Sequence, residues 1–149
     1  MQTREIMTAP PITCTPETSL GVAASRMAES NCGILPVVDA KGRLAGIITD
    51  RDICLAVSRT NRNALSISVR EVMTRKVLSV QPGDDVRRAL ATMRTARVRR
   101  LPVLDDAGHL RGMLSISDVV VRGIADGDIG ADEIVETLHG MYVRHPQAA

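Results

Sequence analysis

Apolar positions along this chain alternate between two spacings. Short unbroken apolar runs predict buried strands at 11–14, 34–38 and 44–48. The i, i+3, i+4, i+7 spacing predicts an amphipathic helix through Leu20, Ala23, Ala24 and Met27. A second helix is predicted at about 50–59. The elements therefore follow one another in the order β-α-β-β-α.

The same order of elements returns 66 positions later without a gap. Met7-Thr8 falls on Met73-Thr74, and the segment 35–39 (Leu-Pro-Val-Val-Asp) falls on 101–105. The aligned identities include prolines and glycines, such as Pro16 with Pro82 and Gly42 with Gly108, so we predict that both halves follow one backbone path. Strands are accordingly expected at 77–80, 100–104 and 110–114, and helices along Val86–Met93 and about 116–124.

The predicted architecture is α/β (α+β), with one repeat at 1–62, a second at 63–125 and a tail at 126–149. Pro16 and Pro82 are expected to end the first strand of each repeat. Asp132 is expected to cap a final helix whose apolar stripe includes Ile134, Val135, Leu138 and Met141. This tail has no counterpart in the first half and is a candidate dimer or partner surface.

Composition removes several classes of function. The 149 residues carry a net charge of only +2, which argues against binding to bulk polyanions. Tyr142 is the only aromatic residue, so the chain has no platform for stacking single-stranded bases. Three widely spaced cysteines favour neither a disulfide framework nor a zinc site. With no signal-peptide core and no bilayer-length apolar run, we expect a cytoplasmic protein that binds neither nucleic acid nor membrane.

The most informative local pattern is a glycine-led apolar strand that runs into Thr or Ser, with Asp three residues later. It occurs at Gly46…Thr49…Asp52 and again at 112–118, where the pair is Ser115 and Asp118. One interpretation is a capping box that satisfies free backbone N–H groups. The other is a nucleoside-phosphate site, because a helix N-terminus attracts phosphate and a carboxylate can accept both ribose hydroxyls.

Residues 4–124 resemble a tandem CBS module, the cystathionine β-synthase-type domain pair. The resemblance rests on three motifs that occur in both halves: Met-Thr, Leu-Pro-Val-x-Asp and Gly-h-h-Thr/Ser-x-x-Asp, where h is an apolar residue. The resemblance covers about four-fifths of the chain. It implies a disc-like module with pseudo-two-fold symmetry, a frequent homodimer, and two clefts between the repeats. Such clefts can bind adenosine-containing ligands, for which we expect AMP, ADP or ATP, with NAD and S-adenosylmethionine as further options.

The resemblance also assigns ligand-binding residues. The ribose carboxylates would be Asp52 and Asp118, and the phosphate-side hydroxyls would be Thr49 and Ser115. Phosphates would also meet Arg99 and Arg100, whose first-half counterparts Gly33 and Ile34 are uncharged, so the two sites should be unequal. A further phosphate contact is assigned to Arg51. Adenine would pack against Ile12, Pro36 and Ile47 at one site and against Leu78, Pro102 and Met113 at the other.

The other groups of charged residues in the sequence do not predict a binding or catalytic site. The helical arginines Arg87 and Arg94 are expected to form a solvated face. The acidic loop at 126–132 does not match the EF-hand calcium pattern, since Ala131 and Thr137 stand where Gly and an acidic residue are needed.

No base–nucleophile pair or metal-ligand spacing is present in the sequence. We therefore expect a non-enzymatic regulatory module that acts in trans on an unknown protein partner and requires no cofactor. The alternative is a structural dimerisation module with vestigial clefts.

Overall fold

The computed structural model describes residues 1–143. Its strands are β1 (Ile34–Val38), β2 (Leu44–Thr49), β3 (Arg100–Leu104) and β4 (Leu110–Ser115). Its α-helices are α1 (Thr3–Ile6), α2 (Leu20–Glu29), α3 (Asp50–Thr60), α4 (Val69–Val72), α5 (Val86–Ala96), α6 (Ile116–Asp118) and α7 (Ala131–Tyr142). A 3₁₀ turn spans Ala64–Ser66, and a π-helical turn spans Val119–Gly123 directly after α6. The α/β class predicted from the sequence is confirmed.

Each repeat contributes one hydrogen-bonded strand pair. Strands β1 and β2 are antiparallel, with Pro36 opposite Ile47 and Leu35 opposite Ile48; β3 pairs with β4. Leu35, Ile48 and Val37 are fully buried. The hairpin turns place Gly42 at φ 76° and Gly108 at φ 82°, a left-handed conformation that favours glycine.

The prediction of a full strand at 11–14 and at 77–80 is wrong. The structure has single parallel bridges there, Cys14 to Val37 and Val80 to Val103. Proline is the physical reason, because it has no N–H to donate to a ladder. Continuing the first ladder in one direction needs an N–H from Pro36, and in the other direction an N–H from Pro16. The second repeat has Pro102 and Pro82 at the matching positions.

Several helix predictions also need correction. The short helices α1 and α4 were not predicted, and the predicted helix at about 116–124 divides into α6 and the π turn. Gly130, and not Asp132, precedes the first turn of α7, where its N–H donates to Oε1 of Glu133 at 3.2 Å. Val135 is 64% exposed, so it does not belong to the buried stripe, whereas Thr137 does.

Arg87 and Arg94 are exposed, as predicted, and they also contact carboxylates of the tail helix. The guanidinium of Arg87 donates to both carboxylate oxygens of Glu133, at 2.8 and 3.1 Å, and to the carbonyl of Asp128 at 2.6 Å. Arg94 lies 3.8 Å from the carboxylate of Glu136. The hydrogen bond from Arg87 is the main cause that lowers the pKa of Glu133. These two arginines of α5 therefore add polar contacts to the tail helix α7, which buries Ile134 and Met141 in the core of unit 1.

The chain divides into two compact units. Unit 1 comprises Met1–Ala9, Leu78–Asp105 and the described residues from Arg111 onward; unit 2 comprises Pro10–Val77 and Asp106–Leu110. Each unit has its own apolar core. The predicted domain borders follow the repeats, whereas each unit joins the body of one repeat to the opening segment of the other. No helix within residues 1–143 has the length and apolarity needed to cross a bilayer.

Candidate functional site

In unit 1 the opening Met-Thr segment lies along strand β4. The N–H of Thr8 donates to the carbonyl of Met113 at 2.8 Å, and the N–H of Met113 donates back to Thr8 at 3.0 Å. Gly112 permits this approach, since a Cβ there would lie 2.6 Å from Sδ of Met7 and 3.0 Å from the carbonyl oxygen of Thr8. The Met-Thr mark of the first repeat thus meets the glycine-led strand of the second.

In unit 2 the Met-Thr segment of the second repeat lies along strand β2 of the first repeat. Thr74 and Ile47 exchange two backbone hydrogen bonds, each of 2.9 Å. A Cβ on Gly46 would lie 2.6 Å from the carbonyl oxygen of Thr74. The glycine of each Gly-h-h-Thr/Ser-x-x-Asp motif therefore admits the backbone of a Met-Thr segment. This close approach explains why the two marks occur together.

Both Thr/Ser–Asp pairs form capping boxes, as one of the two interpretations predicts. In unit 2 the N–H of Thr49 donates to Oδ2 of Asp52 at 2.9 Å, and the N–H of Asp52 donates to Oγ1 of Thr49 at 3.1 Å. In unit 1 the corresponding distances between Ser115 and Asp118 are 2.8 and 3.1 Å, and the Ser115 hydroxyl also donates to Oδ2 at 2.6 Å. The boxes fix the direction of both carboxylates.

One carboxylate oxygen at each box takes no part in the cap. In unit 1 this is Oδ1 of Asp118, which accepts a hydrogen bond from Oγ1 of Thr8 at 3.4 Å. Thr8 is exposed, and Asp118 and Ser115 are half-buried. Sequence reasoning noted the Met-Thr pair only as a mark of the repeat and assigned it no role in a site. The recurrence of threonine at both 8 and 74 was the signal that could have found it.

The residues assigned to adenine lie in the same unit as the motif to which they were assigned, although Leu78 also lines a hollow with Arg88, Ala91 and Thr92 of α5. In unit 2, Pro36 is buried opposite the half-buried Ile47, and Ile12 stands 47% exposed just before the bridge at Cys14. In unit 1, Pro102 is buried, Met113 is half-buried and Leu78 is 54% exposed. Each unit thus brings its own three aliphatic residues, its hydroxyl and its carboxylate into one structural body.

The basic residues assigned to phosphate lie at the surface. Arg51 and Arg99 are exposed and Arg100 is half-buried. Sequence reasoning missed Arg75 and Lys76, which are exposed and follow Thr74 directly in unit 2. Unit 2 therefore has cationic side chains of its own near the Met-Thr edge. The two sites were predicted to differ in charge, because Arg99 and Arg100 correspond to the uncharged residues Gly33 and Ile34 in the first repeat. This difference in phosphate binding stays a prediction.

Within residues 1–143, no cluster of three or more His, Cys, Asp or Glu side chains could hold a metal ion. The three cysteines are free; Cys14 is buried, Cys32 is half-buried and Cys54 is exposed. Burial raises the pKa of the Cys14 thiol to about 11.

Paired hairpins, exchanged Met-Thr segments and two capped Thr/Ser–Asp pairs define a module of two related repeats. The family model of the CBS domain matches residues 4–59 and again 69–123. The chain belongs to the CBS-domain family, and the resemblance seen in the sequence is confirmed.

Two relatives illustrate the range of this family. The chain is 32% identical over 128 residues to the CBS domain-containing protein YhcV of Bacillus subtilis (strain 168), covering 86% of this chain and 89% of that protein. It is 35% identical over 115 residues to inosine-5'-monophosphate dehydrogenase of Mycobacterium bovis, covering 76% of this chain but only 21% of the enzyme. The chain spans about a fifth of the dehydrogenases that it matches.

Solved structures show the same fold. A CBS-domain protein from Burkholderia ambifaria MC40-6 is 36% identical, with a TM-score of 0.73 over 88% of this chain and 99% of that one. The CBS domain pair of protein MJ0100, solved in complex with 5'-methylthioadenosine and S-adenosyl-L-methionine, is 28% identical (TM-score 0.75; 85% and 98% covered). CBSX2 in complex with AMP is 26% identical (TM-score 0.72; 85% and 98% covered).

Proposed function

We propose that this protein is a non-enzymatic regulatory module that binds adenosine-containing ligands, with one binding site in each unit. The observation that carries the proposal is the paired constellation of a capped aspartate, a Met-Thr hydroxyl and three aliphatic residues. The capped aspartate, the aliphatic residues and the Met-Thr segment occur in both units, and the hydroxyl-to-carboxylate contact occurs in unit 1. Related CBS pairs have been solved with AMP and with S-adenosyl-L-methionine.

Each residue has a chemical role in this proposal. Asp118 and Asp52 each have an oxygen outside the cap, which accepts hydrogen bonds from the ribose hydroxyls. Ser115 and Thr49 offer hydroxyl oxygens on the phosphate side. The aliphatic residues hold adenine by apolar contact, because residues 1–141 contain no Phe, Tyr or Trp. This would be hydrophobic binding with a few directed polar contacts, as in most small-molecule sites.

The phosphates would be held by arginine. Arg99 and Arg100 serve unit 1, and Arg51, with Arg75 and Lys76 as additional candidates, serves unit 2. Arginine presents a planar fork of N–H donors that matches phosphate oxygens in pairs. In the part of the chain that the structure describes, neither Arg99 nor Arg100 forms an ion pair, so both guanidinium groups stay available for an anionic ligand.

Ligand binding would then change the equilibrium between two states of the module and so regulate a protein partner in trans. A ligand can shift such an equilibrium only by its differential affinity for the two states. One observation favours the alternative of a purely structural module, since both carboxylates already stabilise helix starts. The proposed homodimer and the cytoplasmic location fit both functions.

The direct test is to identify what the purified protein holds. Mass spectrometry of the released small molecules, followed by calorimetry with AMP, ATP, NAD and S-adenosylmethionine, should find a bound adenosine compound and saturable heat for at least one ligand. A protein that carries no ligand and shows neither heat nor thermal shift with all four compounds would support the structural module.

A further inference from the structure

Arg122 joins the helical segment that carries Asp118 to the opening segment of unit 1. It lies in the π-helical turn Val119–Gly123, four positions after Asp118. Its Nη1 donates to the carbonyl of Ile6 at 2.8 Å and to the carbonyl of Met7 at 3.3 Å. These carbonyls stand at the end of helix α1, where no further helical turn supplies N–H donors. We call this pair of contacts the Arg122 clamp.

Three consecutive residues of the opening segment are bonded by side chains of this one helical segment. The Arg122 clamp accounts for the first two, Ile6 and Met7. The third is Thr8, whose hydroxyl donates to Oδ1 of Asp118 at 3.4 Å. This distance is long for a hydroxyl donor, so a small displacement of Thr8 would break the contact. Because the clamp fixes the two residues before Thr8, it restricts where the hydroxyl can lie.

Apolar packing supports the same attachment. Ile6 and Val119 are buried, and both belong to the core of unit 1. Arg122 itself is exposed, but its hydrogen bond to Ile6 is partly buried, which reduces competition from water. Within residues 1–143 Arg122 forms no ion pair, so the carbonyl contacts are what orient its guanidinium group.

Unit 2 has no counterpart of the Arg122 clamp. A shift of 66 positions takes Arg122 to Ala56, whose methyl group cannot donate a hydrogen bond. Ala56 lies within α3, a regular α-helix, whereas Arg122 lies in a π-helical turn. In the part of the chain that the structure describes, the hydroxyl-to-carboxylate contact is present in unit 1 and has no equivalent at Thr74 in unit 2. The clamp and that contact therefore occur together in one unit.

We propose that Arg122 is a positioning residue of the adenosine site in unit 1. It fixes the segment 6–8, holds the Thr8 hydroxyl against Oδ1 of Asp118, and so keeps this oxygen directed at the ribose. The oxygen has a second lone pair, which can still accept a ribose hydroxyl. A binding group that is already held in its bound orientation raises affinity. Arg122 therefore strengthens binding in unit 1 and not in unit 2; this inference rests on the proposed function.

The test measures the two sites separately by calorimetry. Asp52→Asn is the background in which unit 1 keeps its carboxylate, and Asp118→Asn is the background in which unit 2 does. In the first, Arg122→Ala should lower AMP affinity about fivefold, the effect of one hydrogen bond. In the second it should change nothing. The matched control is Arg111→Ala, which removes an exposed guanidinium of unit 1 that pairs with Asp105 and should leave AMP affinity unchanged.

Three further readouts separate positioning from a direct contact with phosphate and from a general loss of stability. Adenosine has no phosphate, so a positioning residue should affect adenosine and AMP by the same factor, whereas a phosphate ligand would affect AMP alone. Arg122→Ala and Thr8→Val should be non-additive, because both act through the same contact. In the ligand-free protein, Arg122→Ala should raise hydrogen exchange at the Thr8 N–H severalfold and leave the Thr74 N–H unchanged.

The outcomes distinguish this inference from the proposed function. Unchanged affinity in Arg122→Ala, a loss confined to AMP, or additive effects with Thr8→Val would overturn the inference and leave the proposed function standing. A lower melting temperature with unchanged affinity would likewise reduce Arg122 to a structural residue. If the wild-type chain bound neither AMP nor adenosine, the inference and the proposed function would both be wrong.

Discussion

The side-chain hydroxyl of Thr8 lies 3.4 Å from Oδ1 of Asp118, although 110 positions separate the two residues. Backbone hydrogen bonds between Thr8 and Met113 hold the hydroxyl there. The hydroxyl donates to Oδ1 of Asp118, the carboxylate oxygen that forms no hydrogen bond within the capping box. We interpret this contact as part of the proposed ligand site, since the hydroxyl holds Oδ1 in place while the second lone pair of that oxygen can accept a ribose hydroxyl.

Replacing Thr8 with valine tests this interpretation. Valine keeps the shape and the β-branched backbone preference but removes the hydroxyl, so the fold should persist while AMP affinity falls severalfold. Calorimetry and thermal melting measure the two effects. Thr60→Val is the matched control, because its hydroxyl bonds only the carbonyl of Ala56. If the Thr8 variant bound AMP as tightly as wild type does, the Thr8 hydroxyl would have no part in ligand binding.

The glycines of the two motifs should differ in their tolerance of alanine. A Cβ at Gly46 would lie 2.6 Å from a backbone oxygen, whereas the nearest atom at Gly112 is the flexible end of Met7. We expect Gly46→Ala to cost about 1–3 kcal/mol of unfolding free energy, as overpacking does, and Gly112→Ala to cost less. Urea unfolding measures both.

Gly83 provides the control for these substitutions. A Cβ there would meet nothing within 4 Å. Gly83→Ala should therefore leave stability unchanged or raise it by about 0.4–1 kcal/mol through the unfolded chain. If Gly46→Ala were as stable as Gly83→Ala, the Met-Thr segment would not lie against β2 as described.

The attachment of α7 should depend on pH through Glu133. Its pKa is lowered, first by the hydrogen bond from Arg87. A lowered folded-state pKa stabilises the docked helix above the unfolded-state pKa, and this contribution is lost as the pH falls through the folded-state value. At neutral pH, Glu133→Gln and Arg87→Ala should therefore raise hydrogen exchange in α7 severalfold. In acid, wild type and variants should converge.

Arg88→Ala is the control for this pH dependence, because Arg88 pairs with Asp84 and not with the tail. Its exchange in α7 should follow wild type at every pH. The account of the tail would fail if Arg88→Ala and Arg87→Ala had the same effect.

Cysteine reactivity should follow burial. The thiolate is the reactive form, and the pKa of Cys14 is raised to about 11 by its buried site. Cys54 is exposed. Iodoacetamide at mildly alkaline pH should therefore label Cys54 first and leave Cys14 unlabelled until the protein unfolds, as peptide mass spectrometry would show. Early labelling of Cys14 in the folded protein would contradict the placement of its segment against β1.

Local patterns predicted the main helices and hairpins because each buries one face within its own segment. Long-range relationships were not visible in the same way. The strand at 11–14 was predicted from its apolar residues, but its ladder depends on an N–H that Pro36, in another element, does not have. Val135 fits the helical stripe, yet the position of α5 decides which face of α7 is buried. Thr8 joined the site only through its pairing with Met113.

The candidate carboxylates illustrate a different limit. The pattern around Asp52 and Asp118 predicted both a cap and a ligand site, and the structure confirms the cap. The two roles use different oxygens, so the cap does not exclude the ligand. Only a substitution that preserves the cap and alters the second oxygen can separate them.

Calorimetric titration of Asp118→Asn with AMP tests the central claim most directly. The asparagine oxygen can still accept the N–H of Ser115, so the cap remains, while the charge and one acceptor are lost. Glu5→Gln and Glu71→Gln are matched controls in unit 1 and unit 2, since both glutamates accept a backbone N–H at a helix start without a role in the proposed sites. The account predicts that Asp118→Asn weakens AMP binding about tenfold or more, and that both controls bind as wild type does. Unchanged AMP affinity in a folded Asp118→Asn, Asp52→Asn double variant would contradict it.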